Sequence, residues 1–364
     1  MPAWITPCEA QTPHPVPVAR VVAVTAPSGP PRPRAALARR RDSGASEAPS
    51  RQTLSNRGDG FQRENPRARR PMFPAMSEPG GGPTATLLVC CPDRRGIVAA
   101  LAQTLYGHGA NILEADQHTD RVAGVFFQRI HFDLSELHTD RAALERAIRE
   151  VAERMQMRWK LAYADRLERV AIFVSRTDHC LWDLLLRHQA GELPCEIPLI
   201  VSNHPQHRRV AEQFGIPYHV FAMGAGEPRE VEEKELALLA EHGVGLVVLA
   251  RYMRILSGEF LDRFGGPVIN IHHSFLPAFG GGRPYHQAYE RGVKLIGATA
   301  HYATRELDDG PIIEQDVIRA SHRHSVQELV RAGRDVERTV LSRAVRWHLE
   351  HRVLVHGNRT VVFA

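Results

Sequence analysis

Three short stretches in the second half of the chain hold residues able to do chemistry together: Arg251-Tyr252-Met253-Arg254-Ile255-Leu256, Asn270-Ile271-His272-His273-Ser274, and the run from His301 to Asp308-Asp309-Gly310-Pro311. Histidine titrates nearest to working pH, so a histidine beside a carboxylate makes an acid/base unit. An asparagine amide can hold a developing oxyanion. On extended backbone Asn270 and His272 point to one face and His273 to the other. The first two can therefore act on one substrate, whereas a metal site built from both histidines is disfavoured. Singly each residue says little, because the chain contains 20 histidines and most must be structural.

Such residues need a scaffold that brings them together. From residue 166 onward, strands are expected over 170–175, 197–202, 218–221 and 245–250, and helices over 179–188, 208–214 and 231–242. Strands rich in Val, Ile and Leu that alternate with helices predict a Rossmann-like, mostly parallel sheet covered on both faces, an α/β fold. Sites in such sheets form beyond the carboxyl ends of strands. Residues 251–256 and 270–274 fall there, after the strand ending at Ala250 and after Val268-Ile269. Upstream, strands over 85–91, 110–117, 125–134 and 157–163 with helices over 96–106 and 141–155 give the order βαββαβ, which a ferredoxin-like domain satisfies. The turn Pro92-Asp93-Arg94-Arg95-Gly96 leads into the first of these helices, where backbone amides are free to meet an anion or carboxylate. The alternative is that Asp93 simply caps the helix.

The 364 residues suit two domains with some length to spare, divided as 1–83, 84–165 and 166–364. Residues 1–83 hold 15 of the 25 prolines and 12 arginines against 6 acidic residues, so the formal charge of +5 belongs to this segment. Its composition predicts disorder, or spurious length upstream of a start at Met72 or Met76. The remainder is near neutral and has no basic stripe for nucleic acid. The five cysteines form no C-x-x-C pair and no zinc spacing. No apolar run approaches the ~20 residues needed to span a bilayer, and a cytosolic protein is expected.

The strings NIHHSFLPAF, ARYMRILS before it and GATAHYATRELDDGPII after it resemble the folate-dependent formyltransferase fold, the group containing glycinamide ribonucleotide formyltransferase. That resemblance implies an Asn-x-His pair and a later aspartate as catalytic residues, here Asn270, His272 and Asp308. Asp308 is preferred to Asp309 because the aspartate of the Leu-Asp-x-Gly-Pro pattern directly follows the leucine. Over 84–364 the chain is similar to the formyltetrahydrofolate deformylases, in which an ACT regulatory domain precedes the catalytic one. LLVCCPDRRGIVAALAQTLYGHGANILEADQH resembles the ACT module, and Arg283 to Tyr289, Arg331 to Glu337 and Val355 to Thr360 read as the same family.

The family resemblance implies hydrolysis of 10-formyltetrahydrofolate to formate and tetrahydrofolate, with formate going to purine biosynthesis and one-carbon pools kept in balance. It implies a cytoplasmic homo-oligomer that needs no metal and no cofactor. Met253, Arg254, Ile255, Leu256 and His301 are the expected substrate-binding residues, with Arg254 or Arg283 meeting the glutamyl tail. Asp93, Gly96 and Asn111 are candidates for an amino-acid effector, and no nucleic acid or membrane partner is expected. Two alternatives are a formyltransferase acting on an amine such as glycinamide ribonucleotide, and an inactive amino-acid sensor. The transferases hold their acceptor's phosphate on a glycine-rich loop after the first strand of the fold. The matching stretch here, Ser175 to Trp182, has no glycine, which disfavours close backbone approach to a phosphate and favours water as acceptor. Retention of Asn270, His272 and Asp308 together argues against the sensor. Three glycines at 280–282 depart from the family pattern and predict a more flexible loop.

Overall fold

A computed structural model describes residues 82–222, 228–277 and 284–364. The expectations for the N-terminal segment up to residue 81, for the glycine loop and for Arg283 lie outside the described residues.

The first domain has the expected order: β1 (Thr84–Pro92), α1 (Ile97–Gly107), β2 (Asn111–Asp120), β3 (Val125–Asp133), α2 (Arg141–Met155) and β4 (Arg158–Tyr163). Its antiparallel sheet runs β2-β3-β1-β4. Alternation along β1 and β3 sends Leu87, Val89, Ile130 and Phe132 toward Leu101, Leu105, Leu144 and Ile148 on the helices. Asp140 caps α2 by accepting the Ala143 N–H at 2.6 Å.

The second domain is built on seven strands. In chain order these elements are β5 (Glu168–Val174), α3 (His179–Gln189), β6 (Cys195–Ser202), α4 (Arg208–Gln213), β7 (Tyr218–Val220), α5 (Pro228–Glu241) and β8 (Leu246–Ala250). They continue with α6 (Gly258–Phe264), β9 (Val268–His272), α7 (Pro284–Arg291), β10 (Leu295–Tyr302), β11 (Ile312–Arg319) and α8 (Val326–Leu349). The sheet order is β11-β10-β9-β8-β5-β6-β7. β7, β6, β5, β8 and β9 are parallel neighbours, and β10 and β11 complete the sheet antiparallel. The central strands β5 and β8 are buried on both faces: in β5, Val170, Ile172 and Val174 pack toward α3 and α8, Ala171 and Phe173 toward α5 and α6. The chain steps outward from β5 to β7 and then returns to the other side of β5 as β8. That reversal opens a crevice at the carboxyl ends of β5 and β8.

α8 starts at a capping box between Ser325 and Glu328 and ends in the hairpin β12 (Val353–His356) and β13 (Arg359–Val362). Leu354, Val361 and Phe363 of this terminal segment pack on Cys90, Val125 and Phe127, the face of the first sheet opposite its helices. Among the described residues no helix is long and apolar enough to cross a membrane.

Candidate active site

Asn270 and His272 leave β9 on one face, and antiparallel pairing sets His301 of β10 directly opposite Asn270. This register brings Asn270 Nδ2 to 3.2 Å from His301 Nε2. His301 Nδ1 lies 3.0 Å from the Tyr302 carbonyl oxygen. A carbonyl only accepts, so Nδ1 carries the proton and Nε2 accepts from the asparagine amide. Burial holds the His301 pKa below the ordinary histidine value, outweighing the Tyr302 carbonyl and Asp308. The ring is neutral at pH 7.

Asp308 reaches the same point from the β10–β11 loop, with its backbone in the left-handed region at φ 56°. Two residues on, Gly310 passes so close to the Tyr302 carbonyl oxygen that a Cβ there would collide with it, and the Tyr302 N–H donates to the Pro311 carbonyl at 3.0 Å. The tight return sets Asp308 Oδ1 3.2 Å from His272 Nδ1 and 3.8 Å from His301 Nε2. The hydrogen bond from His272, opposed by burial, holds the Asp308 carboxyl below its ordinary range. His272 Nε2 is buried and has no partner among the described residues.

These groups line a cleft of about 310 Å³ that also includes residues 253–256. Met253, Ile255 and Leu307 border it while 60%, 73% and 63% exposed, and clustered bare apolar side chains mark a surface that awaits a ligand. Two larger cavities, of about 640 and 440 Å³, touch none of Asn270, His272 and Asp308, so size alone would misplace the site.

His273 corrects one expectation. It also borders the cleft, because β9 ends at His272 and strict alternation ends with it. Its ring centroid is 5.2 Å from that of His272, and its pKa is pushed down to about 4, first by burial and then by Arg251 and His272. Arg254 lines the cleft, yet its guanidinium interacts with Tyr252, whose hydroxyl donates to buried Glu235 at 3.0 Å. Asp93 does not cap α1: Gly96 is the N-cap, at φ 89°, and the helix has no side-chain cap hydrogen bond among the described residues. Asp93, Gly96 and Asn111 are all exposed.

A group that sequence reasoning missed adjoins the cleft. Glu337 of α8 is 1% exposed. One carboxylate oxygen accepts the Tyr285 hydroxyl at 2.5 Å; the other is 2.8 Å from His179 Nε2 and 3.3 Å from Arg251 Nε. Burial alone would raise the Glu337 pKa, but His179, Arg251 and Tyr285 together hold it below the ordinary value. The signal was present, since Glu337 stands on the same helical face as Val336, Val340, Leu341 and Ala344, where a carboxylate must be paired. His179, Cys180 and Glu337 have potential ligand atoms within 4.8 Å of one another. Burial, however, pushes the Cys180 thiol well above its usual value, so the sulfur stays protonated and ligates poorly.

Comparison with known proteins follows the same division. A formyl transferase family model matches residues 168–345 and an ACT domain model matches residues 85–149. A formyltetrahydrofolate deformylase of Synechocystis sp. is 55% identical over 281 residues, 77% of this chain and 99% of that protein. The crystal structure of a formyltetrahydrofolate deformylase from Pseudomonas syringae pv. tomato is 46% identical and superposes with a TM-score of 0.76, over 78% of this chain and 95% of the other. A glycinamide ribonucleotide transformylase from Symbiobacterium toebii is 29% identical with a TM-score of 0.52, covering 54% of this chain and 95% of its own.

Proposed function

The chain belongs to the formyltetrahydrofolate deformylase family, and from that premise we propose that it hydrolyses 10-formyltetrahydrofolate with Asn270, His272 and Asp308 as its reacting residues. The observation that carries the assignment is the convergence of a buried imidazole, a carboxylate held ionised and an amide, from β9 and the β10–β11 loop, in one apolar-rimmed cleft.

The pterin lies along residues 253–256, and the formyl group faces Asn270 and His272. Asp308 takes the Nδ1 proton of His272 as a hydrogen bond, which leaves Nε2 to remove a proton from water. The water oxygen bonds to the formyl carbon, the negative charge collects on the formyl oxygen, and the carbon–N10 bond breaks as His272 returns the proton to N10. Formic acid and tetrahydrofolate leave, and the acid gives its remaining proton to solvent to become formate. Asn270 donates one amide hydrogen to His301, so its second is aimed at the oxyanion, a contribution on the order of 3 kcal/mol. His301 is thus a positioning residue. No step requires a metal or a cofactor beyond the folate itself.

The reading extends to a cytoplasmic homo-oligomer whose formate serves purine biosynthesis. It also extends to a small amino acid, glycine or methionine, bound by the first domain near Asp93, Gly96 and Asn111. Support for that site is the uncapped start of α1; a rate indifferent to both amino acids would remove it. For the catalytic assignment, formate release should need no acceptor, and Asp308→Asn should slow it by about 10³-fold or more, since acid/base groups supply 10²–10⁴. Near-normal turnover in that variant would refute the role of Asp308.

A further inference from the structure

A formyl group set up for attack by water is open to attack by an unprotonated amine as well, so a hydrolase needs a reason to exclude amines. β9, β8 and β5 are neighbours, with the catalytic pair on β9 and, after β5, the stretch that corresponds to the phosphate-holding loop of the transferases. An acceptor anchored beyond β5 and reacting above β9 must cross the end of β8. Arg251 stands there, the first residue after β8.

Its backbone is at φ 62°, a conformation that suits glycine and disfavours any residue with a Cβ, yet the residue is arginine. Its side chain is 13% exposed and forms an ion pair, without hydrogen-bond geometry, with Glu337, which is itself held by Tyr285 and by His179 at the start of α3. The Met253 N–H donates to Ser175 Oγ at 2.9 Å, joining the same two strand ends a second time. A buried ion pair of this kind contributes little net stability but fixes geometry, because neither partner can leave without stranding a charge.

We propose that Arg251, clamped by Glu337, closes the corridor between the β5 loop and the catalytic residues and so restricts the acceptor to water. The inference rests on the hydrolase reading above and names the residue that sets its specificity.

The test supplies 10-formyltetrahydrofolate with glycinamide or glycinamide ribonucleotide to the full chain and measures formate and N-formyl amine together. Wild type should release formate alone. In Arg251→Gly, and in Glu337→Ala where the clamp is lost, the ratio of N-formyl amine to formate should rise to about tenfold or more above the detection limit that bounds it in wild type, the scale on which pocket contacts discriminate. In that reaction the amine nitrogen bonds to the formyl carbon, the carbon–N10 bond breaks and the amine proton passes to N10. A merely structural role would lower both products and leave their ratio unchanged. Hydrolysis with an unmoved ratio overturns the proposal, as does loss of hydrolysis without amine product in folded Arg251→Gly and Arg251→Lys, which would make Arg251 an aid to water. Should the variants fail to fold, wild type decides: formate as the sole product with glycinamide in large excess supports a closed corridor, and formylation of glycinamide overturns it. No formate from wild type would sink the hydrolase reading itself, a result distinct from an unmoved ratio.

Discussion

Asn270, His272 and Asp308 each owe their orientation to a neighbour: Asn270 to the neutral ring of His301, His272 to the Asp308 carboxylate, and Asp308 to the close passage of Gly310 past Tyr302. The pairing of Asn270 with His272 was legible because strand alternation has a period of two. The choice of Asp308 came from its motif. The Arg251–Glu337 contact was not legible, since 86 positions separate its members and no local rule joins them. Another buried carboxylate makes a separate prediction. Burial raises the Glu235 pKa to about 7, although Tyr252 donates to it. The folded state therefore favours the protonated form, so its stabilisation is complete below pH 4.5 and is lost as pH rises through 7. Glu235→Gln keeps the shape and stays neutral. It should match wild type near pH 4 and exceed it at pH 8 by up to about 3 kcal/mol, taking 1.36 kcal/mol per pKa unit. Urea unfolding at both pH values checks this, and parallel stability in the two proteins would contradict it.

Elements with a clear period were readable from residue pattern alone, including all six of the first domain and the strands through β8. β10 and α8 were not expected, although α8 has a clear period, and the direction of β10 and β11 could not be read, because apolar alternation looks the same in parallel and antiparallel strands. Their antiparallel pairing matters, since it puts His301 opposite Asn270 and hangs Asp308 from the connecting loop. α6 and α7, at 7 and 8 residues, are too short for periodicity to reveal. α8 contributes through one small residue. A Cβ at Gly333 would collide with the Tyr285 ring, and Gly333 lies one turn before Glu337. Gly-to-Ala changes within helices ordinarily stabilise by ~1 kcal/mol. Here overpacking, at about 1–3 kcal/mol, should win, so Gly333→Ala should lower the urea midpoint. A raised midpoint would mean that Tyr285 can move aside without loss.

Across the whole molecule, one continuous path of chain joins the two domains' working parts. α8 carries Glu337 beside the cleft and leads into the β12–β13 hairpin, whose Leu354 and Val361 pack on Phe127 of the first domain. The first domain therefore rests on the catalytic one through a built apolar contact in addition to the connection at residues 164–167. The transformylase likeness covers 54% of this chain, and what separates the hydrolase from such a transferase is that solvent water is the acceptor. The direct measurement is turnover of 10-formyltetrahydrofolate in oxygen-18 water with no amine present, with mass analysis of the formate. One solvent oxygen per formate, and loss of that product in Asp308→Asn, is the predicted result; formate without solvent oxygen, or formyl release only when an amine is supplied, would contradict it.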